Sequence, residues 1–331
     1  METYPRRGRR WLNRFVWQWF NCPAPTVFAV LVATALVTGC VPSNEQAGLA
    51  FSQSNEKGDE MVKDARGSYA LVNGLNMYYE VHGTGEPLVL LHGAYTTIDT
   101  CFGQLLPALA QSRQVIAIEQ QGHGHTEDIG RPLTFQQMAD DMAGLLRHLN
   151  IGKADILGYS MGGTIAVEMG IHHPELVRKL VNISSPYKRD GWHPDVYTTI
   201  EQITPEMFVG TGLLEAYAEV APNPDGWATL VQKLKTLDLE YVGRTSEEFQ
   251  SIKAPALIML GDSDGVRLES ALDMFTLLGG GVFGDIAGLP HSQLAVIPGS
   301  THVGVIQKTD LLVPMITAFL DAPMPEAGDP Q

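Results

Sequence analysis

ADILGYSMGGTIAVEMG, residues 154–170, passes from an apolar run of strand length into a helical pattern, with a serine held between glycines at the change. Packing alone asks for no such arrangement. A nucleophile does: a sharp strand-to-helix turn forces the residue at its apex into a strained backbone conformation. The flanking chain can approach that apex only where side chains are absent. Ser160 is therefore the candidate nucleophile around which the rest of the chain is read.

On either side of this stretch the pattern alternates. YALVNG and NMYYEVHG look like two short strands joined at a Gly-containing turn, and LVLLHG (88–93) and QVIAIEQ (114–120) like buried strands. LTFQQMADDMAGLLRHL (133–149) carries apolar residues at helical spacing, with Thr134 and Gln137 placed as a capping box. After the serine come helix 161–173, strands 179–184 and 256–261, a helix near 268–278, strand 293–298 and a final helix near 309–320. Strands alternating with helices predict an α/β class, a mostly parallel sheet with helices on both faces. The alternation breaks once. Residues 186–251 hold helical pieces, no convincing strand and eight aromatics, too much for a simple connection, and read as a helical lid.

A serine hydroxyl needs a base to take its proton and a third group to hold that base. MLGDSDG (259–265) ends one strand and offers Asp262 and Asp264; VIPGSTHVG (296–304) ends the last and offers His302. With GYSMG (158–162) at the strand-to-helix turn, the chain order is Ser, Asp, His. From about Ser68 to Leu320 the chain resembles the α/β-hydrolases of the esterase, lactonase and C–C hydrolase group. HGAY follows the third strand, GYSMGG the fifth, a G-x-x-D loop the strand beyond the lid, and a Gly-x-x-His loop the last.

The resemblance implies Ser160 as nucleophile, His302 as base and Asp264, the acid of G-x-x-D, as its orienting partner, with Asp262 a turn residue. It implies an oxyanion hole from the backbone N–H groups of Met161 and Ala94, with His92 shaping the second loop. Relatives that displace halide or open epoxides carry Asp at the elbow, so serine favours attack on an acyl carbonyl. The expected substrate is a small ester, lactone or similar uncharged apolar molecule, because neither catalytic loop holds a basic cluster and the lid has 11 acidic against 5 basic residues. Trp192 and Phe208 are candidates for the lid's inner wall, the alternative being that they pack lid on core. A C–C hydrolase on the same three residues, or a binding lipoprotein without activity, are the other readings. No cofactor is expected. GHGHTED (122–128) is weighed as a zinc motif, but its acid is displaced by one position and a further His is missing; no metal is expected.

The first forty residues stand apart from this domain. Arg6, Arg7, Arg9, Arg10 and Arg14 precede TVFAVLVATALVTGC, which ends at Cys40. A basic region followed by a short apolar run is an export signal, and VTGC resembles the lipobox of bacterial lipoproteins, in which the Cys is lipidated. Pro23 and Pro25 split the uncharged stretch and leave 14 apolar-run residues, short of the ~20 of a membrane span. The chain is thus read as a signal over 1–39, lipid at Cys40, a polar tether over 40–67, the hydrolase domain over 68–322 with its lid at 186–251, and a tail over 323–331. The expected location is the cell envelope, anchored to a membrane through the lipid. Loss of residues 1–39 removes five Arg and one Glu and leaves 17 basic and 36 acidic residues, a net charge of −19. That charge disfavours nucleic acid and anionic headgroups as partners and leaves a small molecule. Cys101, the one thiol left beyond Cys40, reads as a buried inert residue.

Overall fold

The computed structural model describes residues 67–325. The expected signal and Cys40 lie outside the described residues, as does all of the expected tether but Gly67, and so do residues 326–331 of the expected tail. Among the described residues no helix is long and apolar enough to cross a membrane.

Eight strands form one sheet: β1 (Gly67–Val72), β2 (Leu75–His82), β3 (Glu86–Leu91), β4 (Arg113–Ile118), β5 (Ala154–Tyr159), β6 (Val177–Ile183), β7 (Ala256–Ser263) and β8 (Gln293–Thr301). Their spatial order is β1-β2-β4-β3-β5-β6-β7-β8. The first two contacts are antiparallel, beginning with the hairpin at Asn73–Gly74; the rest are parallel. Parallel neighbours need crossovers, and the helices supply them. These are α1 (Ile98–Phe102), α2 (Leu105–Leu109), α3 (Phe135–His148), α4 (Met161–His172), α5 (Pro194–Gln202), α6 (Leu213–Val220), α7 (Trp227–Glu240), α8 (Ser246–Gln250), α9 (Leu268–Leu277), α10 (Gly284–Ala287), α11 (His302–Val305) and α12 (Thr309–Asp321).

Leu88 to Leu91 are all buried, as a strand covered on both faces requires. Leu88 and Leu90 enter a core completed by Phe102, Leu105, Leu312, Ile316 and Phe319 from α1, α2 and α12. Val89 and Leu91 alternate to the opposite face, where α4 lies against β3, β5 and β6, and α3 lies against α4. The N-terminal end of the sheet is held by buried charge. Lys179 in β6 donates from Nζ to the carbonyls of Phe319, at 2.8 Å, Leu320, at 3.1 Å, and Ala322, at 2.5 Å. These are carbonyls that the end of a helix leaves without intrahelical donors, so one ammonium caps α12 from the centre of the sheet. Arg113 pairs with Asp321 at the same helix end.

The short helices α1, α2, α10 and α11 were absent from the sequence pattern, because four or five residues are too few to display a period. Two further expectations need correction. Thr134 caps α3 by accepting from the Gln137 N–H at 3.1 Å, but the Gln137 side chain turns to Asp141 instead of closing a box. His302 does not sit in a loop; it opens α11, whose N-cap is Thr301. The insertion between β6 and β7 is mainly helical, comprising α5 to α8 and three short 3-10 turns joined by loops. It is tied to α4 by Glu168, which accepts from Tyr241 at 3.0 Å and pairs with Arg244.

The elbow between β5 and α4 leaves no room for side chains. A β-carbon at Gly158 would lie 2.0 Å from the carbonyl oxygen of Gly162, and one at Gly162 would lie 2.0 Å from that of Leu91. Both obstacles are backbone atoms, which cannot swing aside. Gly158→Ala should therefore lower the unfolding free energy by about 2 kcal/mol or more, a severe overpacking cost. Urea denaturation measures it, and a variant as stable as the wild type would show that the close approach is not required.

Candidate functional site

At the apex of the elbow Ser160 has φ +54° and ψ −117°, a region non-glycine residues rarely occupy. Its N–H donates to Ile183 O at 2.9 Å, and its carbonyl receives the N–H of Gly163 at 2.9 Å. The side chain is thereby lifted clear of both strand and helix. Its Oγ lies 2.9 Å from Nε2 of His302, and Nδ1 of the same ring lies 2.8 Å from Oδ1 of Asp264. The structure thus brings Ser160, His302 and Asp264 together from three strand ends.

Asp264 is buried, and burial pushes its carboxyl upward. The hydrogen bond and charge of His302, the Ser184 hydroxyl and the Val266 N–H outweigh that push and hold it below the usual carboxylate range. Ser184 Oγ donates to Oδ2 at 2.6 Å, the Val266 N–H to Oδ1 at 3.0 Å and the Gly261 N–H to Oδ2 at 3.2 Å. An ionised carboxylate only accepts, so Nδ1 of His302 donates to Asp264, and Nε2 faces the Ser160 hydroxyl. Asp262 does something else. It is exposed, and its carboxylate receives the N–H groups of Gly299 at 2.9 Å and Ser300 at 3.1 Å, pinning the turn within β8.

Tyr159 holds His302 from below. Its hydroxyl donates to the His302 carbonyl at 2.9 Å and its ring stacks on the imidazole with centroids 5.6 Å apart. Sequence reasoning passed over both Tyr159 and Ser184. Tyr159 occupies a variable position of G-x-S-x-G, and Ser184 reaches Asp264 across 80 residues of chain, with no local signal beyond its place at the end of β6.

Met161 is the first residue of α4, where backbone N–H groups have no intrahelical acceptor. Ala94 follows His92 and Gly93 in the turn after β3. His92 is buried and receives the Gln120 N–H on Nε2 at 3.1 Å, so Nδ1 donates to Gly93 O at 2.8 Å. Burial lowers its pKa and keeps the ring neutral. It clamps the loop that carries Ala94. The next residue, Tyr95, has φ +65°, and its ring lies 4.7 Å from that of Phe208. Phe208 is buried and also meets Trp227 at 5.2 Å, so it packs the lid against the loop that carries Ala94. Trp192 stands edge-on to His302 with centroids 5.4 Å apart. Its position is fixed by backbone: it bridges Val266, and the neighbouring His193 N–H donates to Gly265 O at 2.8 Å.

The side chains of GHGHTED separate. His123 is buried against His92, His125 hydrogen-bonds Glu119 at 2.9 Å, Glu127 is exposed and Asp128 pairs with Lys233 at 2.6 Å. Among the described residues no group of three or more His, Cys, Asp or Glu is arranged to hold a metal ion. Cys101 is buried in α1, and burial pushes its thiol up to about 12.

Residues 86–226 match the family model described as the alpha/beta hydrolase fold. The chain is 28% identical over 271 residues to the pimeloyl-acyl-carrier-protein methyl ester esterase of Vibrio cholerae, covering 73% of this chain and 97% of that one. A shorter stretch of 109 residues is 38% identical to the 2-hydroxymuconate semialdehyde hydrolase of a Pseudomonas species, covering 31% of this chain and 38% of that one. Among solved structures, the enol-lactonase of Burkholderia xenovorans superposes with a TM-score of 0.59 at 20% identity, over 77% of this chain and all of the lactonase, a likeness of fold. Sheet order, elbow and solved structures agree on the fold: the chain has the α/β-hydrolase fold and is similar to hydrolases built on it.

Proposed function

We propose that this protein is a hydrolase that cleaves a small ester or lactone through an acyl-enzyme on Ser160. The observation that carries the reading is the unbroken relay from Ser160 Oγ through His302 to Asp264, at 2.9 and 2.8 Å. The Ser160 oxygen attacks the carbonyl carbon while its proton passes to Nε2 of His302, and the resulting imidazolium is stabilised by ionised Asp264. The carbonyl electrons move onto oxygen, where the N–H groups of Met161 and Ala94 receive them; each such donor typically lowers the barrier by a few kcal/mol. Collapse expels the alkoxide, which takes the proton from His302. Water, deprotonated by the same nitrogen, then cleaves the acyl-enzyme and returns the proton to Ser160. Trp192 and Phe208 form part of the wall against which the acyl or alcohol group packs. The similarity to a hydrolase named for a semialdehyde supports C–C cleavage on the same residues as a second reading.

We further propose that residues 1–39 direct export and that Cys40 carries lipid, holding the enzyme on a membrane of the cell envelope. The support is the basic and apolar pattern before VTGC.

Ser160→Ala should abolish covalent labelling by a fluorophosphonate while the fold is kept; labelling that persists at the same site would remove Ser160 from the chemistry. Steady-state kinetics separates the two acids. Asp264→Asn should lower kcat by about 10⁴, as loss of the orienting acid does elsewhere, whereas Asp262→Asn should cost far less; the reverse ranking would reassign the acid. Ser184→Ala, which removes one charge-assisted bond to Asp264, should lower kcat by about tenfold, and an unchanged kcat would make that bond incidental. For the anchor, wild-type protein should incorporate labelled fatty acid and Cys40→Ala should not. A mature chain that still begins at Met1 would refute the lipid.

A further inference from the structure

α9 returns the chain from the loop of Asp264 toward the start of β8, and residues 278–292 make the turn between them. Val282, Phe283, Ile286 and Leu289 stand out from that turn, at 49, 66, 81 and 87% exposure. Single exposed apolar side chains are ordinary, but four large ones within eight positions mark a surface that meets something other than water. The turn is ordered around them. The Phe283 carbonyl receives the N–H groups of Ile286, at 3.0 Å, and Ala287, at 2.9 Å, and the Gly284 carbonyl receives that of Gly288 at 2.9 Å. α10 is thus the centre of a knob whose side chains are apolar and whose backbone is partly closed on itself. That arrangement suits a medium that offers no hydrogen bonds.

Charge points the same way. From Leu268 to Gln307 there is no Lys or Arg, and from Met274 to Gln307 Asp285 is the only acid. A chain of net charge −15 is repelled by anionic headgroups, so an uncharged apolar knob is the part of it suited to a neutral bilayer. The cleft between Asn73 and α3, walled by Arg131, Asp140, Arg147 and His173, is polar and gives the knob of a second copy no apolar seat. Topology sets the end of the domain that faces the lipid. β1 is antiparallel to β2 and β2 to β4, so β1 runs in the direction of the parallel strands. Gly67, where the chain enters β1, therefore lies at the end of the sheet where those strands begin, as does the knob that precedes β8. Ser160, Asp264 and His302 each follow the last residue of a strand, at the opposite end. Residues 40–66, 27 in number, span at most about 90 Å when extended, enough for a lipid on Cys40 and the knob to meet one bilayer.

We infer that Val282, Phe283, Ile286 and Leu289 form a knob that inserts into a neutral lipid bilayer and docks the domain with Ser160 facing away from it. Substrate then arrives from water and not from the lipid. The docking stands without the serine-hydrolase reading and without lipid on Cys40, which would only add to it.

Hydrogen exchange on the full chain reads the knob itself. With phosphatidylcholine vesicles added, the amides of residues 281–289 in wild type should exchange about tenfold more slowly than in buffer, a local gain of protection. Lid residues 209–212, on the side of the serine, should keep their rate. In the triple variant Phe283→Ser, Ile286→Ser, Leu289→Ser the vesicle effect should vanish while the turn, whose bonds are backbone to backbone, is kept. Equal exchange in wild type with and without vesicles overturns the inference, as does slowing that persists in the variant or appears at the lid instead. Slowing in buffer that grows with protein concentration places a second copy on the knob and overturns it too. Flotation with the same vesicles separates the knob from the anchor. A chain that floats with its knob unprotected keeps an N-terminal anchor and discards the knob. A Cys40→Ala chain whose knob is still protected by vesicles keeps the knob, whatever becomes of the lipid.

Discussion

The contact of Gly162 with the carbonyl of Leu91 is the constraint on which the site depends. It sets the distance between α4 and β3, and so between the two turns that carry Met161 and Ala94. Ser160, at the apex of the same turn, is held at positive φ. The strain is held locally, by the Ile183 carbonyl on one side and the first turn of α4 on the other. Ser160 and the turns that bear Met161 and Ala94 are consequently set by one backbone arrangement. Pre-organisation of that kind is what makes electrostatic stabilisation of a developing charge effective.

The second requirement is a carboxylate that stays ionised out of water. Desolvation opposes this, and Asp264 overcomes it through donors contributed by β7 itself, by Val266, by Ser184 at the end of β6 and by His302. The lid participates in this arrangement through its backbone. Its first residues are stitched to the loop that bears Asp264, by His193 to Gly265 and by Arg267 to Gly191. Trp192 is therefore held by backbone bonds to the loop that bears Asp264, where its ring meets His302.

How much of this was legible in the sequence follows from where each signal lives. The elbow was legible because its geometry demands particular residue types at fixed spacing. The strands were legible because burial on both faces leaves continuous apolar runs such as Leu88–Leu91. Residue type alone does not separate Asp262 from Asp264; the spacing of G-x-x-D pointed to Asp264, and the side chains agree, one turning to His302 and the other out to the β8 turn. Ser184 and Tyr159 left no pattern because their partners are distant in sequence. Gln137 shows the converse failure. A local rule placed it in a capping box, and a neighbour on the same helix, Asp141, competed for its side chain.

Lys179 gives the C-terminal helix a meaning beyond packing. By drawing the carbonyls of Phe319, Leu320 and Ala322 onto the middle of the sheet, it makes the last described turn of the chain part of the sheet's own hydrogen bonding. His302 lies just upstream of that helix, and Ser160 lies near the middle of the sequence. The Ser160–His302 hydrogen bond joins residues 142 positions apart, so a chain still emerging from the ribosome carries the serine well before the histidine that bonds it exists, and the two can meet only late in synthesis.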